Sequence, residues 1–150
     1  MKKLLCLFVV AIMLVTLAAC GEQPADNGDG QNPVMNFIGE YMCDRAHALV
    51  ECEGEDSALV TIEWGSSAWT LSKWVMSGKL DTDTLTVEYS DCVMSEVTYN
   101  EGGEIAEEDV QFENGTGTFT FNDDGTFLWH DDQSENEDML FEWLPVQTDE

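Results

Sequence analysis

From residue 46 onward, apolar and polar side chains alternate with a period of two. Ala46, Ala48, Val50 and Cys52 alternate with His47, Leu49 and Glu51, and Ala58, Val60, Ile62 and Trp64 with Leu59, Thr61 and Glu63. Leu85, Val87 and Tyr89 alternate with Thr84, Thr86, Glu88 and Ser90; Phe119 and Phe121 alternate with Thr118 and Thr120, and Phe127 and Trp129 follow. A strand turns successive side chains to opposite faces, so this pattern predicts half-buried antiparallel strands, and the β-branched and aromatic content agrees. Turn-forming clusters punctuate the runs: Glu53-Gly54-Glu55-Asp56, Gly65-Ser66-Ser67, Asp81-Thr82-Asp83, Glu101-Gly102-Gly103, Asn114-Gly115 and Asp123-Asp124-Gly125. Asn-Gly and Asp-Gly accept the positive φ of tight hairpins. No segment carries a convincing α-helical period. Three runs are ambiguous: residues 69–79 mix their apolar phase, residues 105–112 carry Glu107, Glu108 and Asp109, and residues 139–144 are apolar on both faces, as a closing strand or a short helix would be.

About eight short strands joined by tight turns, with no crossover helices, predict an all-β antiparallel meander. Closing the sheet into a small barrel removes its edges, and about eight strands enclose a side-chain core or one small ligand. A closed or nearly closed barrel is therefore expected, with a β-sandwich as the alternative. In architecture the body resembles calycin-like small barrels of the lipocalin and streptavidin type. Gly39-Glu40-Tyr41 stands where the lipocalin signature has Gly-x-Trp, so the resemblance carries no ligand residues with it.

Upstream, the pattern changes altogether. Lys2 and Lys3 precede an apolar run over residues 4–17, broken only by Thr16. The run falls short of the roughly 20 residues that cross a bilayer. It ends in Leu17-Ala18-Ala19-Cys20, which resembles the lipobox of bacterial lipoproteins. That resemblance implies cleavage before Cys20 and a lipid on its sulfur; a plain secretory peptide or an uncleaved anchor are the alternatives. The chain then divides into a signal peptide (1–19), a lipidated cysteine and flexible tether (20–34), a barrel-like domain (35–146) and an acidic tail (147–150). Residues 21–33 are mostly Gly, Pro, Asp, Asn and Gln, with Glu22 and Ala25 and no large apolar side chain, giving a flexible span of about 20 Å. Gly21 follows Cys20, without the Asp that favours inner-membrane retention, so the expected location is a cell membrane or outer membrane, facing away from the cytoplasm.

Charge narrows the partners. The chain has 31 acidic residues and 5 Lys or Arg, a net −26. Without residues 1–19 only Arg45, Lys73 and Lys79 remain against the 31 acids, a net −28. Nucleic acid is excluded, because no cationic surface exists to displace counterions from phosphate. Anionic lipid repels the body as well, so attachment rests on acyl chains, each buried CH₂ contributing about 0.8 kcal/mol.

Outside the cytoplasm a disulfide is permitted. Strand parity puts Cys43 and Cys92 at one end of the body and Cys52 at the other, so a Cys43–Cys92 bridge is expected, with Cys52 a buried thiol. Catalytic candidates are few. His47 shares an outward face with Leu49 and Glu51. His130 lies near Asp131, Asp132, Glu135, Glu137 and Asp138, where a divalent cation or a merely solvated loop are the two readings. Asp26-Asn27-Gly28-Asp29-Gly30 fails the calcium-loop pattern, since aligning Gly30 with its glycine puts Ala25 and Asn36 at ligand positions. Ser66 and Ser67 lack the Gly-x-Ser-x-Gly setting of a nucleophile elbow. No catalytic residue, metal or cofactor is expected. The tryptophans remain: Trp64 and Trp129 point to the apolar face of their strands, Trp69 and Trp74 flank Lys73, and Trp64, Tyr89 and Trp129 are the expected ligand-lining residues. The expected function is non-catalytic, a membrane-anchored binding module for a small apolar or sugar-like ligand. The alternatives are an acidic protein that captures cationic proteins such as lysozyme or antimicrobial peptides, and an envelope enzyme. Small lipid-anchored barrels that inhibit lysozyme are similar in size and anchoring.

Overall fold

The computed structural model describes residues 32–134 and 137–145. The signal segment, Cys20, residues 20–31 of the tether and the acidic tail lie outside the described residues. After a 3₁₀ turn (Pro33–Asn36) come eight strands: β1 (Gly39–Cys43), β2 (Ala46–Cys52), β3 (Ser57–Gly65), β4 (Thr70–Asp81), β5 (Thr86–Tyr99), β6 (Ile105–Phe121), β7 (Thr126–Asp131) and β8 (Met139–Leu144). Each pairs antiparallel with the next, and β8 returns to β1 through Glu40↔Leu144, Tyr41↔Trp143 and Met42↔Glu142, closing the ring. The ambiguous run at 139–144 is thus the closing strand. With every strand paired on both sides over some of its length, the expected meander barrel is what the chain forms.

The barrel has two poles. At one, β1 begins, β2 ends and the 3₁₀ turn sits; this is the entry pole. At the other, Cys43, Gly65, Tyr99 and Asp131 end their strands; this is the mouth. Asn32, Pro33 and Val34, expected in the tether, are built into the entry pole. Asn32 Oδ1 accepts from Val34 N–H at 3.0 Å, its Nδ2 reaches Gly54 O at 2.5 Å, and Val34 is fully buried.

Period two fills the interior. Phe119, Phe121, Phe127 and Phe141 are at most 2% exposed, and the small side chains of Ala46, Ala48 and Ala58 are buried in the same core. Rings form a continuous column from pole to pole: Phe37 on Phe121 at 4.4 Å, Phe121 to Phe127 at 5.8 Å, Phe127 on Phe141 at 4.7 Å, Phe141 to Trp129 at 6.4 Å, and Trp129 to Trp74 at 5.5 Å. Interiors pack at crystal-like density, and a ring of this size is just filled by its own side chains. The space expected for a ligand inside the barrel is therefore occupied by phenylalanine.

Two further differences concern β5 and β6. Asn114-Gly115, a hairpin signal in the sequence, is a bulge inside the long strand β6: Asn114 takes φ +60 and the register against β5 shifts around Cys92. A bulge needs the same positive φ as a turn, so sequence alone does not separate them. Beyond it, residues 105–112 pair with β5 only, while β7 pairs with β6 over 117–121. This arm carries exposed side chains from Ile105 to Gln111 and, among the described residues, its outer edge has no strand partner.

Candidate functional site at the barrel mouth

Three strands bring indoles to the mouth. In β3 the inward set Ala58, Val60, Ile62 ends in Trp64; in β4 Trp74 heads the inward set that continues to Met76 and Leu80; in β7 Trp129 follows Phe127. Register sets their heights, with Trp64 opposite Ser72, Trp74 opposite Ile62 and Trp129 opposite both Phe119 and Met139. Trp74 and Trp129 meet edge to face at 70°. The same alternation takes β7 on to Asp131, and the connection to β8 supplies Ser134 and Glu137 before Met139. With the three tryptophans these residues line an opening of about 70 Å³. By that measure a single water needs about 10–15 Å³, so the opening admits a compact group of a few heavy atoms. A wider depression of about 370 Å³ lies at the entry pole beside Phe37, Tyr41 and Trp143, with Asp123 as the carboxylate in its lining.

Hydrogen bonds fix the deepest indole. Trp129 Nε1–H donates to Tyr89 Oη at 3.0 Å, and Tyr89 O–H donates to the His130 carbonyl at 3.3 Å. Gly117 makes room for this crossing, because a Cβ there would collide with both Tyr89 Oη and His130 O. Burial holds the Tyr89 phenol far above its usual pKa, so it stays neutral and can donate and accept at once. Trp74 Nε1–H, by contrast, is buried with no hydrogen-bond partner among the described residues.

Charge at the opening is negative. Burial raises the Asp131 carboxyl above the ordinary carboxylate value, opposed by the hydrogen bond from Gln133 N–H at 3.1 Å. His130 points outward: its Nδ1 meets Asp138 Oδ1 at 2.6 Å and its Nε2 meets Asp132 Oδ1 at 3.2 Å. The Asp138 bond and charge lift its pKa above 6.5, with Asp132 adding to them. His130 thus clasps the β7–β8 connection that lines the opening. Of the carboxylates near it in sequence, the structure brings Asp132 and Asp138 to the ring. No group of three or more His, Cys, Asp or Glu among the described residues is arranged to hold a metal ion.

Of the expected lining residues, Trp64 and Trp129 meet at the mouth and Tyr89 stands beneath Trp129 as its support. Trp74, which flanks Lys73 in the sequence, joins them at the mouth, as does Asp131, which the sequence did not mark as lining; parity points to both, since Trp74 shares its phase with Met76 and Leu80, and Asp131 with Phe127 and Trp129. The cysteines depart from expectation. Cys43, Cys52 and Cys92 are free thiols. Cys43 and Cys92 do sit toward the same pole, but β1 and β5 are opposite walls of the eight-strand ring, with the core between them and no path to the roughly 7 Å Cα separation a bridge requires. Cys92 is the fully buried thiol, its pKa pushed up to about 12 chiefly by burial. Cys52, expected to be buried, is partly exposed, accepting from Asn32 Nδ2 at 2.8 Å and donating to Gly54 O at 2.9 Å.

No family model, curated protein or solved structure matches the chain.

Proposed function

We propose that the protein is a membrane-anchored, extracytoplasmic lipoprotein whose barrel is a non-catalytic binding module, taking a small ligand or group at its tryptophan mouth. The observation that carries this reading is the convergence of Trp64, Trp74 and Trp129 on one opening above a filled core. Aromatic walls with a few convergent polar groups are the usual make-up of a ligand site. The packed column below stops the ligand at the rim and limits it to a compact group. Anchoring rests on the likeness of Leu17-Ala18-Ala19-Cys20 to a lipobox.

The test is a fluorescence titration of the intact protein with indole, glucose, choline and 3,3-dimethylbutan-1-ol. Saturable quenching by at least one of them, abolished in Trp64→Ala, is the expected result. Flat responses to all of them would remove the reading.

A second reading, capture of cationic proteins, is favoured by the acidic arm. Glu107, Glu108 and Asp109 are exposed along an edge that has no strand partner among the described residues. An unpaired edge is a template for an added strand, and its charge would select a basic one.

A further inference from the structure

Building on the mouth-binding reading, we propose that the opening is a cage for an alkylated ammonium group, above all a trimethylammonium head, held against indole faces beside carboxylates. Indole offers the best aromatic face for a cation, effective within about 6 Å of the ring centre. Trp74 and Trp129, with ring centres 5.5 Å apart and planes at 70° to one another, form a corner, and Trp64 lines the opening with them. Asp131 and Glu137 set the sign of the charge there, while Met139 contributes a polarizable thioether.

Three observations select an organic cation. A hard metal ion takes six or more oxygens, whereas most of this lining is indole and thioether, and no donor cluster for a metal exists among the described residues. A primary ammonium would need its three N–H donors met by the oxygens of Asp131, Ser134 and Glu137 together, whereas a trimethylammonium needs no acceptor and its methyl groups pack on the three indole rings. Among the described residues the protein's own cations are already paired: Lys73 with Glu108, Lys79 with Asp56, Arg45 with Asp44, and His130 with Asp138 and Asp132. None of them lines the opening.

Size agrees, since a trimethylammonium head is a compact group of one nitrogen and three methyl carbons.

The head could come free, as choline, or bound to a phosphodiester, as in a lipid head group. Choline and glycerophosphocholine are therefore the probes, with 3,3-dimethylbutan-1-ol as the neutral carbon isostere of choline. Tryptophan fluorescence and calorimetry on the intact protein read the binding. Choline should bind saturably, at least about tenfold more tightly than the isostere. Trp64→Ala should abolish its binding, and Asp131→Asn should weaken choline several-fold more than the isostere. Glu137→Gln, on the exposed connection, provides the same comparison should Asp131→Asn fail to fold. Glycerophosphocholine binding as well as choline points to a lipid-derived head; choline alone points to the free cation, since the acidic rim repels a phosphodiester. Equal affinity for choline and its isostere, or binding by indole or glucose but not choline, overturns the cage and leaves the mouth-binding reading standing. Silence from every probe removes both.

Discussion

Trp129 Nε1–H and Tyr89 Oη are the one hydrogen bond on which the geometry of the mouth turns. Removing the hydroxyl in Tyr89→Phe leaves a buried donor with no partner, a loss of about 1–3 kcal/mol. A lower urea midpoint at unchanged slope, with altered tryptophan emission, is the expected outcome; an unshifted midpoint would put the support of Trp129 elsewhere. His130 makes a second prediction at this scale. Its folded pKa is raised by Asp138 and Asp132, so protonation and the clasp support each other. The stabilisation is complete below the unfolded value of 6.5 and is lost as pH rises through the higher folded value. NMR titration should place the His130 midpoint above 6.5 and Asp138→Asn should bring it down; a midpoint at or below the ordinary value would mean the clasp does not form in solution.

At the level of elements, the 3₁₀ turn Pro33–Asn36 matters more than its composition suggests. Val34 is fully buried, so Val34→Ala should cost about 2 kcal/mol, read by thermal or urea denaturation; an unchanged midpoint would mean the turn only rests on the pole. Its neighbours are Asn, Pro and Gln, which read as linker, because the burial of Val34 is imposed by the barrel end and leaves no periodic trace. The strands themselves were legible, since period two marks which side chains face inward regardless of partner. Period two also found Trp64 and Trp129. It did not find the mouth as a site, because that depends on the register that sets Trp64, Trp74 and Trp129 at neighbouring heights. The cysteines mark the limit of parity: it gives the pole a residue lies toward, but not the wall, and Cys43 and Cys92 are separated by half the ring. Asn114-Gly115 marks another limit, since turn and bulge demand the same backbone.

The barrel is strongly acidic, and among the described residues each Lys and Arg is already paired. Capture of a cationic protein, tested with lysozyme as the probe, should weaken steeply between about 0.1 M and 1 M salt, as the screening length falls from about 10 Å to 3 Å; a salt-insensitive complex would count against the acidic arm as its basis. Cys20→Ala should leave the chain uncleaved or released into the medium; a variant still processed and membrane-bound would refute lipid attachment at that sulfur. The entry pole has one more consequence, a mechanical one. Asn32 enters the barrel beside Cys52 and Gly54, at the end away from Trp64 and Asp131. A pull applied at Asn32 would be met first by the bonds of Asn32 and the seat of Val34, ahead of any strand of the ring. Under such a load those residues would act as a shock absorber, set at the pole opposite the mouth tryptophans.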